Sequence, residues 1–453
     1  MTFRLSEAVL DRLPAGIVPC GYDRSRLEVG IVHLGLGAFH RAHQTPVYDA
    51  VARAGDRRWG VAGVAMRTST TVDRLKPQQG LFTLGIGEQD QLTGCLKELL
   101  VAPQAQAAVV AAMVRPTVHL ITTTITEKGY AAGPDGPGQA ARLIAAAAEG
   151  RRLTGGGGFT VLCCDNLPGA GRRLREQAVA AADTATGDWL AGQVTFPDGM
   201  VDRITPATTE EDITAFASRT GIEDQGRVRT EPFWQWVVED RFAGPRPAFE
   251  VAGVQIVRDV APWEAAKLRL LNAAHSKLAW WGLTRGLRYV HEAIAAPEAT
   301  ALLGALWGEA RQTLPAAAGL DLDAYLGSLR RRLADPAMAH RLDQIVVDSS
   351  QKVGPRLLQP LVERSRTGAR SPALAGAVAE WIAWLEVWTR SGRQIEDPLA
   401  TELVVAAGVS GEGEERVSRI LAVLGLAENS TGQLAREIAR RSDAGADRPA
   451  LRP

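Results

Sequence analysis

Three polar residues stand inside an apolar segment, at spacings that bring them together on a helix. The run KLRLLNAAHSKLAWW contains Lys267, Asn272 and His275, and Glu264 lies one turn before it. At 100° per residue on an α-helix, these four side chains fall within an arc of about 140°. The leucines and tryptophans around them indicate burial, and buried polar groups have to be hydrogen-bonded or used in chemistry. The segment therefore predicts a functional helix face.

Hydride transfer between a carbinol carbon and a nicotinamide would use each of these groups. The reaction needs a base for the hydroxyl proton and donors for the oxyanion that develops. Lys267 can be that base if its pKa falls from about 10.4 towards 7 to 8. The side-chain amide of Asn272 is a neutral donor suited to the oxyanion, and His275 can orient a substrate hydroxyl.

Other catalytic patterns for alcohol chemistry are missing from the sequence. None of the five tyrosines is followed by a lysine four residues later, so the Tyr-x-x-x-Lys pair is absent. The segment HEAIA at His291 lacks the second histidine of a zinc-binding H-E-x-x-H motif. We therefore expect no metal, and Lys267 is the strongest candidate base.

A glycine-rich turn follows the first convincing strand. In LEVGIVHLGLGAFHRAH, β-branched residues lead to Gly35 and Gly37, and helix-compatible residues begin at Ala38 and Phe39. Such a turn lets backbone N–H groups approach a dinucleotide pyrophosphate, although His40 replaces the third glycine of the usual fingerprint. A tight turn without a ligand is the alternative, and the surrounding α/β pattern favours the cofactor.

The sequence leaves the choice between NAD and NADP open. A dinucleotide fold usually places an acidic residue roughly twenty residues beyond the glycines, where it binds the adenosine ribose. The candidate second strand ends here in AMRTSTTVD, which offers Arg67 and hydroxyl groups instead of a carboxylate. Arg67 either accommodates a 2′-phosphate or is a solvated loop residue. We expect NAD, with NADP not excluded.

The elements around these motifs predict two domains. Alternating strands and alanine-rich helices in the first half are typical of a parallel sheet covered on both faces. Longer helical patterns dominate from about residue 231. We expect an α/β dinucleotide-binding domain at 1–228 and a mostly α-helical substrate and catalytic domain at 229–453. The predicted strands and helices of the first half are Trp59–Met66, Ala105–Met113, Thr117–Thr126, Ala140–Ala148 and Gly158–Asp165.

Composition narrows the classes of partner. The 453 residues carry a formal net charge of zero and are 46% hydrophobic. No global basic field is available for nucleic acid or an anionic membrane, so a small molecule is the expected partner. The N-terminal segment lacks the apolar core of a signal peptide, which favours a cytoplasmic location. The four cysteines show no C-x-x-C spacing and are interpreted as reduced structural thiols.

An ordered set of motifs resembles the polyol-specific long-chain dehydrogenase/reductase family, whose members act on polyols, ketoses and sugar acids. The resemblance spans residues 30 to 352 and implies a Rossmann-like N-terminal domain, a helical C-terminal domain, metal-independent catalysis and a site between the domains. The matching motifs are GIVHLGLGAFHRAHQ, TITEKGY, CDNLPGAG, FPDGMVDRITP, EPFWQWVVED, KLRLLNAAHS and SSQK.

The resemblance also implies roles for particular residues. Lys267 matches the general acid/base of the family, and Asn166 and Asn272 match the pair that holds the oxyanion. His275 matches the histidine that orients the substrate. Lys352 of SSQK matches a lysine that contacts the substrate.

Three acidic residues have further implied roles. Glu127 and Glu264 match the acidic groups beside the path by which the proton leaves. Asp202, which precedes Arg203 in MVDRITP, either contacts the substrate or forms a pair that locks a turn.

The substrate is predicted less firmly than the chemistry. In DSSQKVGPR and the residues before it, Gln344 stands where mannitol dehydrogenases tend to have Arg, and Lys352 and Arg356 would supply cations for a uronate carboxylate. This pattern favours interconversion of fructuronate and mannonate. CDNLPGAG is closer to polyol-oxidising members, so mannitol 2-dehydrogenase and arabinitol dehydrogenase activities remain alternatives. A non-catalytic dinucleotide-binding sensor is the alternative from another class. The sequence leaves the oligomeric state open.

Overall fold

The protein folds into two compact units, which divide at residues 261 and 262. The computed structural model describes residues 2–130, 132–133, 136–317, 319–408, 413–426 and 428–443. All strands that are found among the described residues lie in the first unit. The strands are β1 (Phe3–Arg4), β2 (Ile17–Val18), β3 (Val29–Leu34), β4 (Gly60–Ala65), β5 (Phe82–Ile86), β6 (Gln89–Thr93), β7 (Leu96–Val101), β8 (Leu120–Thr123), β9 (Thr160–Cys163), β10 (Gly199–Asp202), β11 (Ile222–Glu223), β12 (Val228–Thr230), β13 (Gln235–Glu239) and β14 (Gln255–Val257).

The α-helices run through both units. Those of the first unit are α1 (Ala38–His43), α2 (Thr45–Arg53), α3 (Thr70–Leu75), α4 (Gln106–Val114), α5 (Gln139–Thr154), α6 (Ala170–Ala180), α7 (Thr184–Gln193) and α8 (Glu210–Thr220). Those that follow are α9 (Ala261–Ala266), α10 (Ala273–Leu283), α11 (Val290–Ala295), α12 (Pro297–Ala310), α13 (Leu322–Ala334), α14 (Leu342–Ile345), α15 (Ser349–Val353), α16 (Gln359–Arg366), α17 (Pro372–Arg390), α18 (Ala400–Gly408), α19 (Gly413–Val423) and α20 (Glu428–Asp443).

A five-stranded parallel sheet forms the centre of the first unit. Its strand order is β7-β4-β3-β8-β9, so the chain runs outward from β3 and then returns to place β8 on the other side of β3. In doubly wound sheets, this reversal opens a crevice at the carboxyl ends of the strands. The predicted parallel sheet is confirmed, and the glycine turn after β3 lies at this reversal.

Strands β3, β4, β8 and β9 of this sheet are buried almost throughout because both faces are covered. Ile31, Val32 and Leu34 of β3 are all fully buried. On one face, α4 and α5 bring small side chains such as Ala112 and Ala147 into the core. Small residues let a helix approach the sheet closely. The alanine-rich texture of the sequence therefore reflects helix-on-sheet packing.

The first unit extends further along the chain than the sequence analysis expects. The predicted boundary lies at 228 and 229, whereas the compact units divide at 261 and 262. The reason is a second sheet in which β13 pairs with β10 and β14 pairs with β13. These late strands join the first unit through backbone hydrogen bonds, which the local sequence pattern does not reveal.

The second unit is helical, as predicted. The 19-residue helix α17 carries fully buried Trp381 and Ile382. Within the described residues of this unit, two segments are π-helical, Lys267–Asn272 between α9 and α10 and Gly354–Leu358 between α15 and α16. π-Helical turns are rare and often occur at functional sites.

The cysteines and the helix lengths are two further features of the structure. All four cysteines are buried and none forms a disulfide, which agrees with their interpretation as structural thiols. Within the described residues, none of the helices has the length and apolar content needed to cross a bilayer.

Candidate active site

The glycine turn has two glycines with different structural requirements. Gly35 has φ +110°, and a Cβ there would lie 2.0 Å from the carbonyl oxygen of Thr124. Gly37 is the N-cap of α1 with φ −114°, and a Cβ there would have only the Gly35 carbonyl oxygen within 4 Å, at 3.7 Å. Gly35 is therefore required by the fold. The open space at Gly37 fits the close approach of a ligand to the backbone.

The buried side chain of His33 supports this turn through a hydrogen bond to the carbonyl of Gly35. The Nε2 of His33 lies 3.1 Å from the carbonyl oxygen of Gly35, and its Nδ1 lies 2.8 Å from the hydroxyl of Thr122. Since a carbonyl only accepts, Nε2 carries the proton and Nδ1 accepts from Thr122. The His40 ring stacks on His33 at 3.4 Å. Burial lowers the pKa of His33 to about 3. The sequence analysis does not assign His33 a role.

The carboxyl ends of the neighbouring strands carry further predicted site residues. Arg67 is exposed just after β4, and Asn166 is exposed three residues after β9. Beside Asn166, buried Asp165 accepts from the backbone N–H of Thr126 at 2.8 Å and from the hydroxyl of Tyr130 at 2.5 Å. Asp165 thus fixes the segment of TITEKGY, in which Thr126 has φ +63°. The CDN motif indicates Asn166 as a site residue and does not mark its neighbour Asp165.

Two buried residues around Asp202 lock the MVDRITP segment. Arg203 donates to the carbonyl oxygens of Ala42 at 2.7 Å and of Glu231 at 3.0 Å. The Glu231 carboxylate in turn accepts from the backbone N–H of Ile204 at 2.6 Å. Asp202 is buried at the end of β10. Arg203 thus locks this segment through backbone carbonyls, and the choice between the two roles of Asp202 stays a prediction.

Glu264 and Lys267 lie close together in the sequence, near the start of the second unit. Glu264, in α9, and Lys267, the first residue of the π-helical segment, are both partly buried. The side chain of Glu127 lies outside the residues whose side chains the structure describes. Its predicted role is therefore not tested.

The π-helical segment changes the relation between Lys267 and Asn272. The arc of about 140° assumed α-helical geometry throughout. In a π-helix, hydrogen bonds run from residue i+5 to residue i, as the bond from the N–H of Ala273 to the carbonyl of Leu268 shows. Lys267 and Asn272 are five residues apart, so this register places their Cα atoms about one turn apart and nearer to one side of the helix than an α-helix would. The arc of about 140°, which assumes α-helical geometry, therefore does not apply to this pair.

His275 is buried among basic groups. Its Nε2 has no hydrogen-bond partner within the described part of the chain. The ring of His340 lies edge-on at 5.2 Å. Burial lowers the pKa of His275 well below its usual value, and the nearby charges of His340, Arg332, Arg356 and Lys267 add to this effect. His275 is therefore neutral at pH 7. His340 and Arg332 were not predicted as site residues, since no local pattern marks them.

The two predicted carboxylate-binding cations are both held by neighbouring groups. Arg356, in the second π-helical segment, donates to the hydroxyl of Ser276 at 2.9 Å. Lys352 donates to the carbonyl oxygens of Ile345, at 3.0 Å, and Val347. These contacts orient the two side chains within the second unit, and their proposed contacts with substrate remain untested.

The described residues contain no candidate metal site. Within residues 2–130, 132–133, 136–317, 319–408, 413–426 and 428–443, no group of three or more His, Cys, Asp or Glu side chains could hold an ion.

Comparison with known proteins identifies the family. The mannitol dehydrogenase Rossmann domain matches residues 29–251, and the mannitol dehydrogenase C-terminal domain matches residues 259–441. The chain belongs to the mannitol dehydrogenase family. The D-mannonate oxidoreductase of Escherichia coli K12 is 34% identical over 439 residues, which cover 89% of this chain and 90% of that protein. The mannitol 2-dehydrogenase of Pyrenophora tritici-repentis is 34% identical over 442 residues, 90% of this chain and 78% of that protein.

A solved structure extends the comparison to the fold. The mannitol 2-dehydrogenase of Pseudomonas fluorescens, in a ternary complex with NAD and D-mannitol, is similar with a TM-score of 0.85 and 29% identity over 98% of this chain and 97% of that chain. The predictions of a Rossmann domain followed by a helical domain, of an oxidoreductase and of NAD as the cofactor are confirmed at the level of the family.

Proposed function

We propose that this oxidoreductase interconverts a ketouronate and its aldonate with NAD, with D-fructuronate and D-mannonate as the substrate pair. The observation that carries this proposal is the basic surrounding of His275. Arg332, Arg356 and Lys267 all act on the pKa of His275, and Lys352 acts in the same sense on the pKa of His340. A substrate carboxylate would gain from these positive charges, whereas a neutral polyol would gain less.

A sugar acid is the substrate named for one of the relatives. The D-mannonate oxidoreductase of Escherichia coli is similar to this chain over nearly its whole length. Arg356 is suited to a carboxylate because a planar guanidinium binds it through paired hydrogen bonds. Lys352 would add a second positive charge.

The glycine turn fits a dinucleotide. Gly37 leaves room for the close approach of a pyrophosphate, and the half-buried residues Ala38 and Phe39 continue the chain into α1. Gly35 shapes the turn, and Arg67 would lie towards the adenosine ribose. When bound, NAD supplies the hydride acceptor for oxidation and, once reduced, the hydride donor for reduction.

The second unit would supply the acid–base chemistry. In oxidation, neutral Lys267 takes the proton of the substrate hydroxyl, and in reduction the protonated amine returns a proton to the carbonyl oxygen. The amide of Asn272 donates to the same oxygen as negative charge develops. The unpartnered Nε2 of His275 is available to bind a neighbouring substrate hydroxyl. Glu264, one turn before Lys267, would pass the proton on. A second donation to this substrate oxygen by Asn166, which the family resemblance implies, stays a prediction.

A neutral polyol is the second candidate substrate. Relatives named mannitol 2-dehydrogenase reach 34% identity, the same value as the D-mannonate oxidoreductase. The solved neighbour at 29% identity holds D-mannitol. Mannitol or arabinitol oxidation would use the same Lys267 and Asn272, so the two candidates differ only in what contacts the far end of the substrate.

A substrate panel tests the proposal. Fructuronate, tagaturonate, fructose and xylulose are each assayed with NADH and with NADPH at controlled pH. We expect fructuronate with NADH to give the highest kcat/KM. A higher value for fructose or xylulose would replace the sugar acid with a polyol and ketose pair. Tight NADH binding without turnover of any of the four would favour a dinucleotide sensor.

A further inference from the structure

The π-turn at Lys267–Asn272 needs support from outside its own helix. Inserting a π-turn shifts the hydrogen-bond register and leaves carbonyl groups that require other donors. The indole N–H of Trp307 donates to the carbonyl of Leu270 at 3.0 Å. Arg356 donates to the carbonyl of Asn272 at 3.3 Å. Side chains from α12 and from the second π-helical segment thus hydrogen-bond to carbonyls of the first.

An ion pair fastens the same turn to α16. The Nη1 and Nη2 atoms of Arg269 donate to the two carboxylate oxygens of Glu363 at 2.6 and 2.8 Å, and Nη1 also donates to the carbonyl of Thr313 at 2.9 Å. The Arg269 side chain is 10% exposed, so few of its donors could turn to water instead. Gln359 donates to Glu363 at 3.1 Å and helps to hold the carboxylate. A bidentate pair of this kind fixes direction as well as distance.

Arg269 does not share a face with Lys267. It lies two residues after Lys267, and residues two apart on a helix point in different directions. Its contacts with Glu363 and Thr313 thus anchor the back of the turn. Any effect on the reaction must pass through the backbone that carries Lys267 and Asn272.

We propose that Arg269 and Glu363 are positioning residues that hold the π-register in which Lys267 and Asn272 stand on one side. The proposal rests on the acid–base role of Lys267 given above. In an α-helical register, the two side chains would diverge by about 140°. The amide would then leave the oxygen that Lys267 protonates. Misplacement of about 1 Å in such an arrangement can cost a hundredfold in rate.

Two variants test this inference without removing the catalytic groups. Glu363→Gln keeps the shape of the side chain and removes its charge. Arg269→Lys keeps the charge and removes the fork, which a lysine cannot reproduce. We expect each to lower kcat by about tenfold to a hundredfold, with the KM for substrate and the Kd for NADH changed by less than about threefold. A lower kcat in Arg269→Lys would reflect lost positioning and not a lost charge, because this variant keeps the positive charge.

A second ion pair on the same run of helix provides the control. Lys277 of α10 donates to Glu380 of α17 at 2.9 Å, and the side chains are 4% and 16% exposed. Glu380→Gln should lower the melting temperature, because it leaves a buried ammonium unpaired. Its kcat should stay within about twofold of the wild-type value, since the pair lies outside the π-turn.

The outcomes distinguish this inference from the proposed function. If Glu363→Gln and Arg269→Lys lose no more kcat than Glu380→Gln, or if neither folds, the pair serves stability alone and the inference is overturned. If only one of these two variants folds, its kcat alone is compared with that of Glu380→Gln, and the same criterion applies. Lys267→Ala is assayed in parallel with the best substrate of the panel. Near-normal turnover of that variant would instead overturn the acid–base role of Lys267.

Discussion

Arg356 donates to the backbone carbonyl of Asn272 at 3.3 Å, so the guanidinium is fixed to the turn that carries the proposed oxyanion donor. Its second contact, to the hydroxyl of Ser276, lies one turn further along α10. A cation held at two points in this way loses little side-chain freedom when it binds a carboxylate. This arrangement makes Arg356 the most informative position for substrate choice.

Replacement of Arg356 by Met should shift specificity away from sugar acids. A hydrogen bond to a charged group contributes about 1.5 to 3 kcal/mol, so the ratio of kcat/KM for mannonate over mannitol should fall at least about tenfold. Steady-state kinetics with NAD and both substrates measure the ratio. The exposed Arg366 of α16 provides the control, and Arg366→Met should leave the ratio unchanged. An unchanged ratio in Arg356→Met would remove this residue from carboxylate recognition.

Replacement of Lys267 by Ala should abolish most of the chemistry and leave the cofactor bound. General acid–base catalysis contributes about 10² to 10⁴ in rate, and kcat should fall by that factor. The Kd for NADH, measured by fluorescence titration, should change little because the glycine turn lies in the first unit. Lys76→Ala, at an exposed position in that unit, should behave like wild type. Retained turnover in Lys267→Ala would leave the reaction without its assigned base.

The two turn glycines should respond differently to the same substitution. Gly35→Ala places a methyl group 2.0 Å from a carbonyl oxygen at φ +110°, so it should lower both the melting temperature and the affinity for NADH. Gly37→Ala meets no protein atom closer than 3.7 Å and should fold normally. Its Kd for NADH should nevertheless rise about tenfold, which corresponds to about 1.4 kcal/mol. Equal NADH affinity in Gly37→Ala and wild type would argue against a pyrophosphate at this turn.

Stability should fall at acid pH partly because of His33. Burial lowers its pKa in the folded state to about 3, whereas the unfolded value is near 6.5. The unfolded chain therefore binds the proton first, and the contribution of His33, complete above pH 6.5, is lost as the pH falls towards 3. Between pH 7 and pH 5 the loss should be about 2 kcal/mol.

Urea unfolding of His33→Gln and wild type at these two pH values tests this assignment. The variant should lose less of its unfolding free energy than wild type over the interval, by about the same 2 kcal/mol. His291→Gln, on α11 of the second unit, controls for the loss of a histidine elsewhere. Parallel losses in His33→Gln and wild type would place the acid sensitivity on other groups.

The sequence by itself determined the elements and the chemical groups. Continuous apolar runs, alanine-rich segments and Gly35 predicted strands, covering helices and a turn because these patterns depend on local periodicity and backbone freedom. Lys267, Asn272 and His275 could be selected together because they lie on one continuous segment.

Tertiary packing decided the features that depend on distant residues. The division at 261 and 262 follows from pairing of β13 and β14 with a sheet that begins at β10, which no local pattern reports. The π-register at Lys267 depends on Trp307, Arg356 and Glu363, which lie 37 to 94 residues along the chain from the groups they bind. A rare backbone geometry persists only where surrounding structure supplies its missing hydrogen bonds, and those partners are brought together by the fold.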